Sequence, residues 1–145
     1  MEVNFRPIER SNVYKCMKLK VSAEQRKFVA SNEYSLVQAA YEPDTYPLAI
    51  YLDDEMVGFI MYDYDSDSGI WEMSRLMVDE KYQGRGLGTA AVGKFLEFLT
   101  NELGHIMFYT SAEPMNKVAI GLYEKAGFKL NGKILYGEVQ MEIQL

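Results

Sequence analysis

The chain has 145 residues, 48% hydrophobic and 25% charged, which suits one globular domain whose core needs neither disulfides nor a metal. Cys16 is the single cysteine and His105 the single histidine, so a disulfide framework is excluded and neither a His-based triad nor a metal site is expected. A net charge of −6 argues against a nucleic-acid surface and favours a cationic partner. No apolar run reaches membrane-spanning length and the N-terminal residues lack a signal-peptide core, which points away from a membrane and toward the reducing cytosol.

Alternation predicts a strand over residues 3–7 and a turn over 8–12. Helices are expected over 12–19, 23–30 and from 32 or 34 to 41, the last stopping before Pro43. A meander follows, with strands over 47–52, 57–64 and 70–78 separated by acidic and Gly-containing turns at 53–55 and 65–69. A long helix runs to about 102 and ends at Gly104, and 106–110 reads as a strand. Pro114 suits the start of a further helix that ends at Ala126 with Gly127 as its cap. Strands over 128–134 and 139–143 close the chain as a hairpin. These elements imply an α/β (α+β) domain over 1–145, a mixed sheet with helices on both faces. Cys16 reads as a small buried hydrophobe in the first helix.

Residues 78–88, Val-Asp-Glu-Lys-Tyr-Gln-Gly-Arg-Gly-Leu-Gly, carry the densest signal. An apolar strand ends, three glycines alternate, and the helix-period residues Leu87, Ala90, Ala91, Phe95, Phe98 and Leu99 begin. Glycine admits positive φ and close approach, and the unpaired N–H groups of a first helical turn attract anions. A P-loop is excluded because no Lys-Ser/Thr follows a glycine, and a Rossmann fingerprint because the glycines lie past mid-chain in the wrong spacing. The open readings are a phosphorylated ligand and a solvated turn. A second stretch, residues 116–128, places Asn116 and Tyr123 seven residues apart, on one helical face. By itself that pair also fits a helix cap and a packed phenol. Glu72 interrupts an otherwise apolar strand, where burial would raise its pKa; it also reads as an exposed edge residue. Period two puts Glu72, Ser74 and Leu76 on one face.

Gln83-x-x-Gly86-x-Gly88 resembles the pyrophosphate loop of the GNAT N-acetyltransferases, and N-x-x-A-x-x-L-Y-E-K-x-G-F, from Asn116 to Phe128, is similar to their C-terminal signature. The resemblance covers residue 47 to the end. The segment Phe-Val-Ala-Ser-Asn-Glu-Tyr at 28–34 also looks like the spermine/spermidine (diamine) acetyltransferase subgroup. The resemblance implies a mostly antiparallel, splayed sheet and acetyl-CoA as co-substrate. Backbone groups of Leu76, Met77 and Val78 would pair with the pantetheine arm. The N–H groups of Gln83, Gly84, Arg85, Gly86, Leu87 and Gly88, with Thr89, would hold the pyrophosphate, and Asn116 would bond the pantetheine. Lys81, Arg85 and Lys117 would add positive charge near the phosphates. Tyr123 would protonate the leaving thiolate.

An alkylammonium of pKa near 10.4 must lose a proton before it attacks, and a β-strand N–H can stabilise the oxyanion. Glu72, acting through water, is the candidate base: it precedes Gln83 by the same spacing as the catalytic glutamate of histone-type relatives. Some polyamine-acetylating relatives carry an acid where Ser74 stands. Glu33, Glu42 and Asp44 are candidate contacts for remote ammonium groups. The implied activity is acetyl transfer to a small polyamine. The alternatives are acetylation of a protein N-terminus or lysine, and a non-catalytic coenzyme-A-binding module. A homodimer through the final hairpin is a further expectation of the resemblance.

Overall fold

The computed structural model describes residues 2–145. In chain order the elements are β1 (Val3–Pro7), α1 (Val13–Lys18), α2 (Asn32–Tyr41), β2 (Thr45–Leu52), β3 (Glu55–Asp65) and β4 (Ile70–Val78). A one-turn 3-10 helix (Glu80–Tyr82) leads to α3 (Leu87–Leu103), β5 (Met107–Ala112), α4 (Lys117–Ala126), β6 (Lys129–Leu135) and β7 (Glu138–Gln144). All strands join one sheet in the order β1-β2-β3-β4-β5-β7-β6. Every neighbouring pair is antiparallel except β4–β5, the parallel pair that α3 connects.

Alternation along the central strands divides the core between two faces. Ile50, Ile60, Tyr62 and Met73 join Leu87, Ala91, Val92, Phe95 and Leu99 of α3 and Tyr123 of α4 on one face. Ala49, Tyr51, Phe59, Met61 and Met77 meet Cys16 of α1 and the inner side of α2 on the other. Met73 and Met77 should share a face by period two, yet they lie on opposite ones. The cause is a β-bulge: Met61 pairs with Arg75 and Tyr62 with Met73, leaving Ser74 as the extra residue. The expectation that Glu72, Ser74 and Leu76 share one face is therefore corrected. Leu76 packs with the α3 side, while Glu72 is opposite Asp63 on the α2 side.

Residues 23–30 form no helix. Short bonds from Gln25 N to Ser22 O and from Phe28 N to Gln25 O make successive turns instead. Two anchors override the good helix propensity of this segment. The buried Asp79 carboxylate accepts from Lys20 N at 2.9 Å, and Lys20 O accepts from Glu80 N at 2.9 Å. Gln83 Nε2 donates to Gln25 Oε1 at 2.8 Å. Pro114 lies in a turn ahead of α4, which starts at Lys117, and β2 begins two residues before the expected strand. The expected hairpin turns, the Gly104 and Gly127 helix ends and the final hairpin are present.

A glycine in β3 sets how closely β4 can lie. A Cβ on Gly58 would come within 2.4 Å of Met77 O, a backbone atom that cannot swing aside. Gly93, on the exposed side of α3, has nothing within 4 Å of that position. Gly58→Ala is expected to destabilise the protein by about 1–3 kcal/mol, and Gly93→Ala to stabilise it by about 0.5–1 kcal/mol, in urea melts of the two variants.

Candidate active site

The parallel pairing of β4 and β5 lasts three residues, Trp71↔Phe108, Glu72↔Tyr109 and Met73↔Thr110. Beyond Met73 the strands part. The opening is lined by Met73, Ser74 and Leu76 from β4, Thr110 and Ser111 from β5, and Tyr123 from α4. Residues 75–78 pair with β3 on one side only, so the backbone edge facing β5 has no strand partner. Backbone polar groups in such a position need partners, and an extended ligand carrying amides can supply them as an added strand does. Leu76, Met77 and Val78 lie along this edge. The carbonyl of Val78, however, already accepts from the Gln83 side chain at 2.8 Å.

At the wide end of the opening the glycine loop turns into α3. Gly84 and Gly86 take left-handed φ values of 79° and 76°, and nothing lies within 4 Å of where their side chains would be. Gly86 is the N-cap, so no side chain caps α3, and no acidic residue sits in its first turn. The first turn, from Leu87 through Gly88 to Thr89, therefore presents N–H groups and the positive end of the helix dipole outward. Gly88 has a packing role besides: a Cβ there would come within 2.8 Å of Leu122 Cδ1 on α4. Arg85 is exposed and stacks over Tyr82 at 5.6 Å, and the exposed Lys81 lies in the same loop. The arrangement is an anion cradle built of backbone, with Gln83's side chain spent on holding the loop to β4 and to Gln25.

Next to the closed end, one residue before the strands part and outside the lining of the opening, lies a pair of acids. Cross-strand register sets Glu72 directly opposite Asp63, so the two carboxyls are near neighbours on one face of the sheet. Burial, then the Asp63 charge, push Glu72 up to about 7, with Asp65 and Glu138 adding to the effect. Asp63 is also raised, mainly by burial, against the lowering influence of the Ser74 hydroxyl, Glu72 and Arg75. The nearby cation points elsewhere: Arg75 bonds Ser35 Oγ (3.1 Å), Gln38 Oε1 (3.0 Å) and Ser74 O (2.8 Å), which fastens α2 to β4.

Across the opening, Tyr123 is 8% exposed and lines the cleft. Burial foremost pushes its phenol up to about 12, with Thr110 opposing and Glu138 assisting, so it stays protonated and able to donate. Asn116 does both things its position allowed. Its Oδ1 caps α4 by accepting from Ala119 N at 3.3 Å, and the residue also lines the cleft. Lys117, the first residue of α4, is exposed.

The acidic residues expected near the helical wall are dispersed. Glu33, Glu42 and Asp44 are all exposed. Glu33 is in the first turn of α2 and lines a groove with Lys18, Lys20 and Met77, at the opposite end of β4 from Glu72. Glu42 caps the far end of α2, and Asp44 joins the next turn with φ 53°. Asp63, Arg75 and Asp79 were not singled out in the sequence. Asp63 was within reach: the turn after Asp65 pairs Asp65 with Ile70, and counting back along the hairpin brings Asp63 to Glu72. Arg75 and Asp79 gave no local signal, since their partners lie on distant segments.

Comparison with known proteins agrees with this geometry. A profile of the Acetyltransferase (GNAT) family matches residues 14–128. The spermine/spermidine N(1)-acetyltransferase of Bacillus subtilis is 30% identical over 141 residues, 92% of each chain. The structure of an aminoglycoside acetyltransferase, AAC(6')-Ib, with paromomycin and acetyl-CoA superposes with a TM-score of 0.81 at 21% identity, covering 99% of this chain and 94% of the other. A spermidine N-acetyltransferase from Vibrio cholerae, in complex with CoA and spermine, gives 0.76 at 16% identity, covering 98% and 95%. With the family profile spanning most of the chain and both loop and helix motifs set around one splayed cleft, this protein belongs to the GNAT family of N-acetyltransferases.

Proposed function

We propose that this acetyltransferase moves the acetyl group of acetyl-CoA onto a primary amine of a linear polyamine such as spermine or spermidine. The observation that carries this reading is the Glu72–Asp63 pair next to the apex of the β4–β5 opening, where the nearby Arg75 lowers Asp63 but forms no ion pair with either acid. Among the described residues the ion pairs are Arg6–Asp54 and Lys94–Glu97, both away from the cleft. A polycation supplies the missing charge, and the similarity to a spermine/spermidine acetyltransferase over 92% of the chain supports that class of substrate. Among the described residues no helix is long and apolar enough to cross a membrane.

Each residue then has a chemical task. The first-turn N–H groups of α3 and the Gly84–Gly86 loop hold the pyrophosphate, and the open edge of β4 with Asn116 takes the pantetheine amides. A β4 N–H meets the oxyanion that forms when the amine attacks the thioester. Glu72 accepts the proton that the ammonium must lose, directly or through a water, since its pKa of about 7 suits a base at neutral pH. Tyr123 protonates the departing thiolate. The protons balance: one passes from nitrogen to Glu72, which later releases it to solvent, one passes from Tyr123 to sulfur, and the phenolate recovers its proton from the nitrogen as the amide forms.

Thiol release from acetyl-CoA should be fastest with spermine or spermidine in a panel that also holds aminoglycosides, lysine peptides and N-terminal peptides. Turnover confined to peptides or aminoglycosides would overturn the polyamine assignment. Tyr123→Phe is expected to lower kcat about a hundredfold with coenzyme A affinity little changed. Gly86→Val forces a β-branched residue to φ 76° and places it toward the phosphates; coenzyme A affinity measured by calorimetry should fall about tenfold or more in the folded variant. Glu72 has a folded pKa above its ordinary 4.5, so its favourable contribution is complete below pH 4.5 and is lost as pH rises through about 7. Glu72→Gln should therefore match the parent's stability at pH 4 and exceed it at pH 8, by on the order of 1 kcal/mol once screening at a half-buried site is allowed for.

A further inference from the structure

The reading above gives Glu72 the proton and leaves Asp63, its cross-strand partner, without a task. In this antiparallel pair the two residues stand directly opposite, one step before the bulge at Ser74 and one residue short of the point where β4 and β5 part. That register sets the two half-buried carboxyls opposite each other on strands in the middle of a sheet. The facing groups from neighbouring strands do not relieve the crowding. Asp65 on β3 and Glu138 on β7 add negative charge, and Thr45 on β2, Tyr109 on β5 and Glu142 on β7 stand in the same row without positive charge; Arg75 lowers Asp63 in part, but its hydrogen bonds go to Ser35 and Gln38. Two half-buried carboxyls set opposite each other under those conditions oppose each other's ionisation.

From this geometry we infer that Asp63 is a positioning residue that makes the base conditional on the substrate: Asp63 and Glu72 hold one proton between them in the unliganded protein and surrender it when an ammonium group docks. The inference rests on Glu72 being the base. Its steps balance. The docking ammonium brings one positive charge, the shared proton leaves to solvent, and two carboxylates face the cation. One N–H proton of that ammonium then passes to the pair, which regains the singly protonated form and leaves a neutral amine with its lone pair free to attack. An uncharged molecule in the cleft leaves the proton in place. The arrangement thus selects cationic amines at the deprotonation step as well as at binding.

Two measurements test this independently of each other. Carbon-detected NMR titration of the side-chain carboxyls in the free protein needs no substrate. It should show Glu72 titrating near neutrality, and Asp63→Asn should lower that midpoint by about one pH unit, because asparagine keeps the size and polarity of the side chain and removes the charge. Glu72 titrating in the ordinary carboxylate range, or unmoved by Asp63→Asn, overturns the proposal. Calorimetry of spermidine binding to the complex with coenzyme A, which lacks the acetyl group and cannot turn over, should show about half to one proton released per site at pH 6.5, read from buffers of different ionisation enthalpy. Saturable binding with no proton release also overturns it, while leaving the polyamine assignment intact. Absence of spermidine binding beside a near-neutral, Asp63-dependent Glu72 overturns the polyamine assignment and supports the pairing. In the pH profile of kcat/KM, Asp63→Asn should move the acid limb to lower pH; a uniform loss of activity at every pH would mark Asp63 as merely structural and count against the proposal.

Discussion

The separation of β4 from β5 is the constraint on which the rest of this molecule depends. A parallel pair normally continues until one strand ends, and here it stops after three residues although β4 runs on for five more. Several features enforce the parting. The bulge at Ser74 turns β4, and Gly58 lets the continuing strand lie against β3 with Met77 O where a Cβ would otherwise be. Arg75 ties the departing strand to α2, and Asp79 at its end ties it to the segment around Lys20. Each unpaired backbone group removed from water costs about 1–3 kcal/mol, so an opening of this kind is stable only where water or a polar ligand can enter. The cleft is therefore wet or filled, and its walls are bound to be chemically selective.

The direction in which Arg75 points decides the character of the cleft. A guanidinium paired directly with Asp63 would have lowered that carboxyl further than Arg75 does from its present position, and would have cancelled the negative charge at the apex. Instead its three contacts are neutral oxygens from Ser35, Gln38 and the Ser74 backbone. Positive charge is thereby spent on architecture, and the acids at the apex keep their need for a counter-ion. The opposite end of the same cleft has the reverse polarity, since the N-terminus of α3 carries no acidic residue in its first turn. On the proposed reading, an anion site and a cation site thus stand at the two ends of an open strand edge.

Most of this fold could be read from the sequence because its elements are locally consistent. The hairpin turns, the Gly104 and Gly127 helix ends and the apolar stripe of α3 follow from residues within one or two turns of each other. The glycine loop and the Asn116–Tyr123 face were legible for the same reason, and both line or flank one cleft. Failures fall where a distant contact overrides local preference. Residues 23–30 have helical composition, but Asp79 and Gln83 hold them in turns. Period-two reasoning failed within β4 because one extra residue reverses the faces beyond it, and nothing about Ser74 by itself announces a bulge. The acid pair lay between these cases: Glu72 stood out by contrast with its apolar neighbours, whereas Asp63 required the register that the following turn fixes.

The same features that make the site useful make the free protein less stable than its core would allow. Gly84 and Gly86 are held in a conformation that side chains resist, α3 begins without a cap, the edge of β4 lacks a partner, and two carboxyls are pressed together. These costs differ in kind, and so do the groups that relieve them: phosphate oxygens for N–H groups, amides for a strand edge, an ammonium for carboxyls. On the proposed reading, acetyl-CoA relieves the first three and the amine the fourth. Any ligand that binds only the folded state stabilises it, and the stabilisation is largest where the folded state holds the most uncompensated polarity. Filling the cleft with the pantetheine arm would, on the same reading, also remove water from its apex and strengthen the attraction between the acid pair and an arriving cation. On that reading the two substrates are coupled through the dryness of one narrow space.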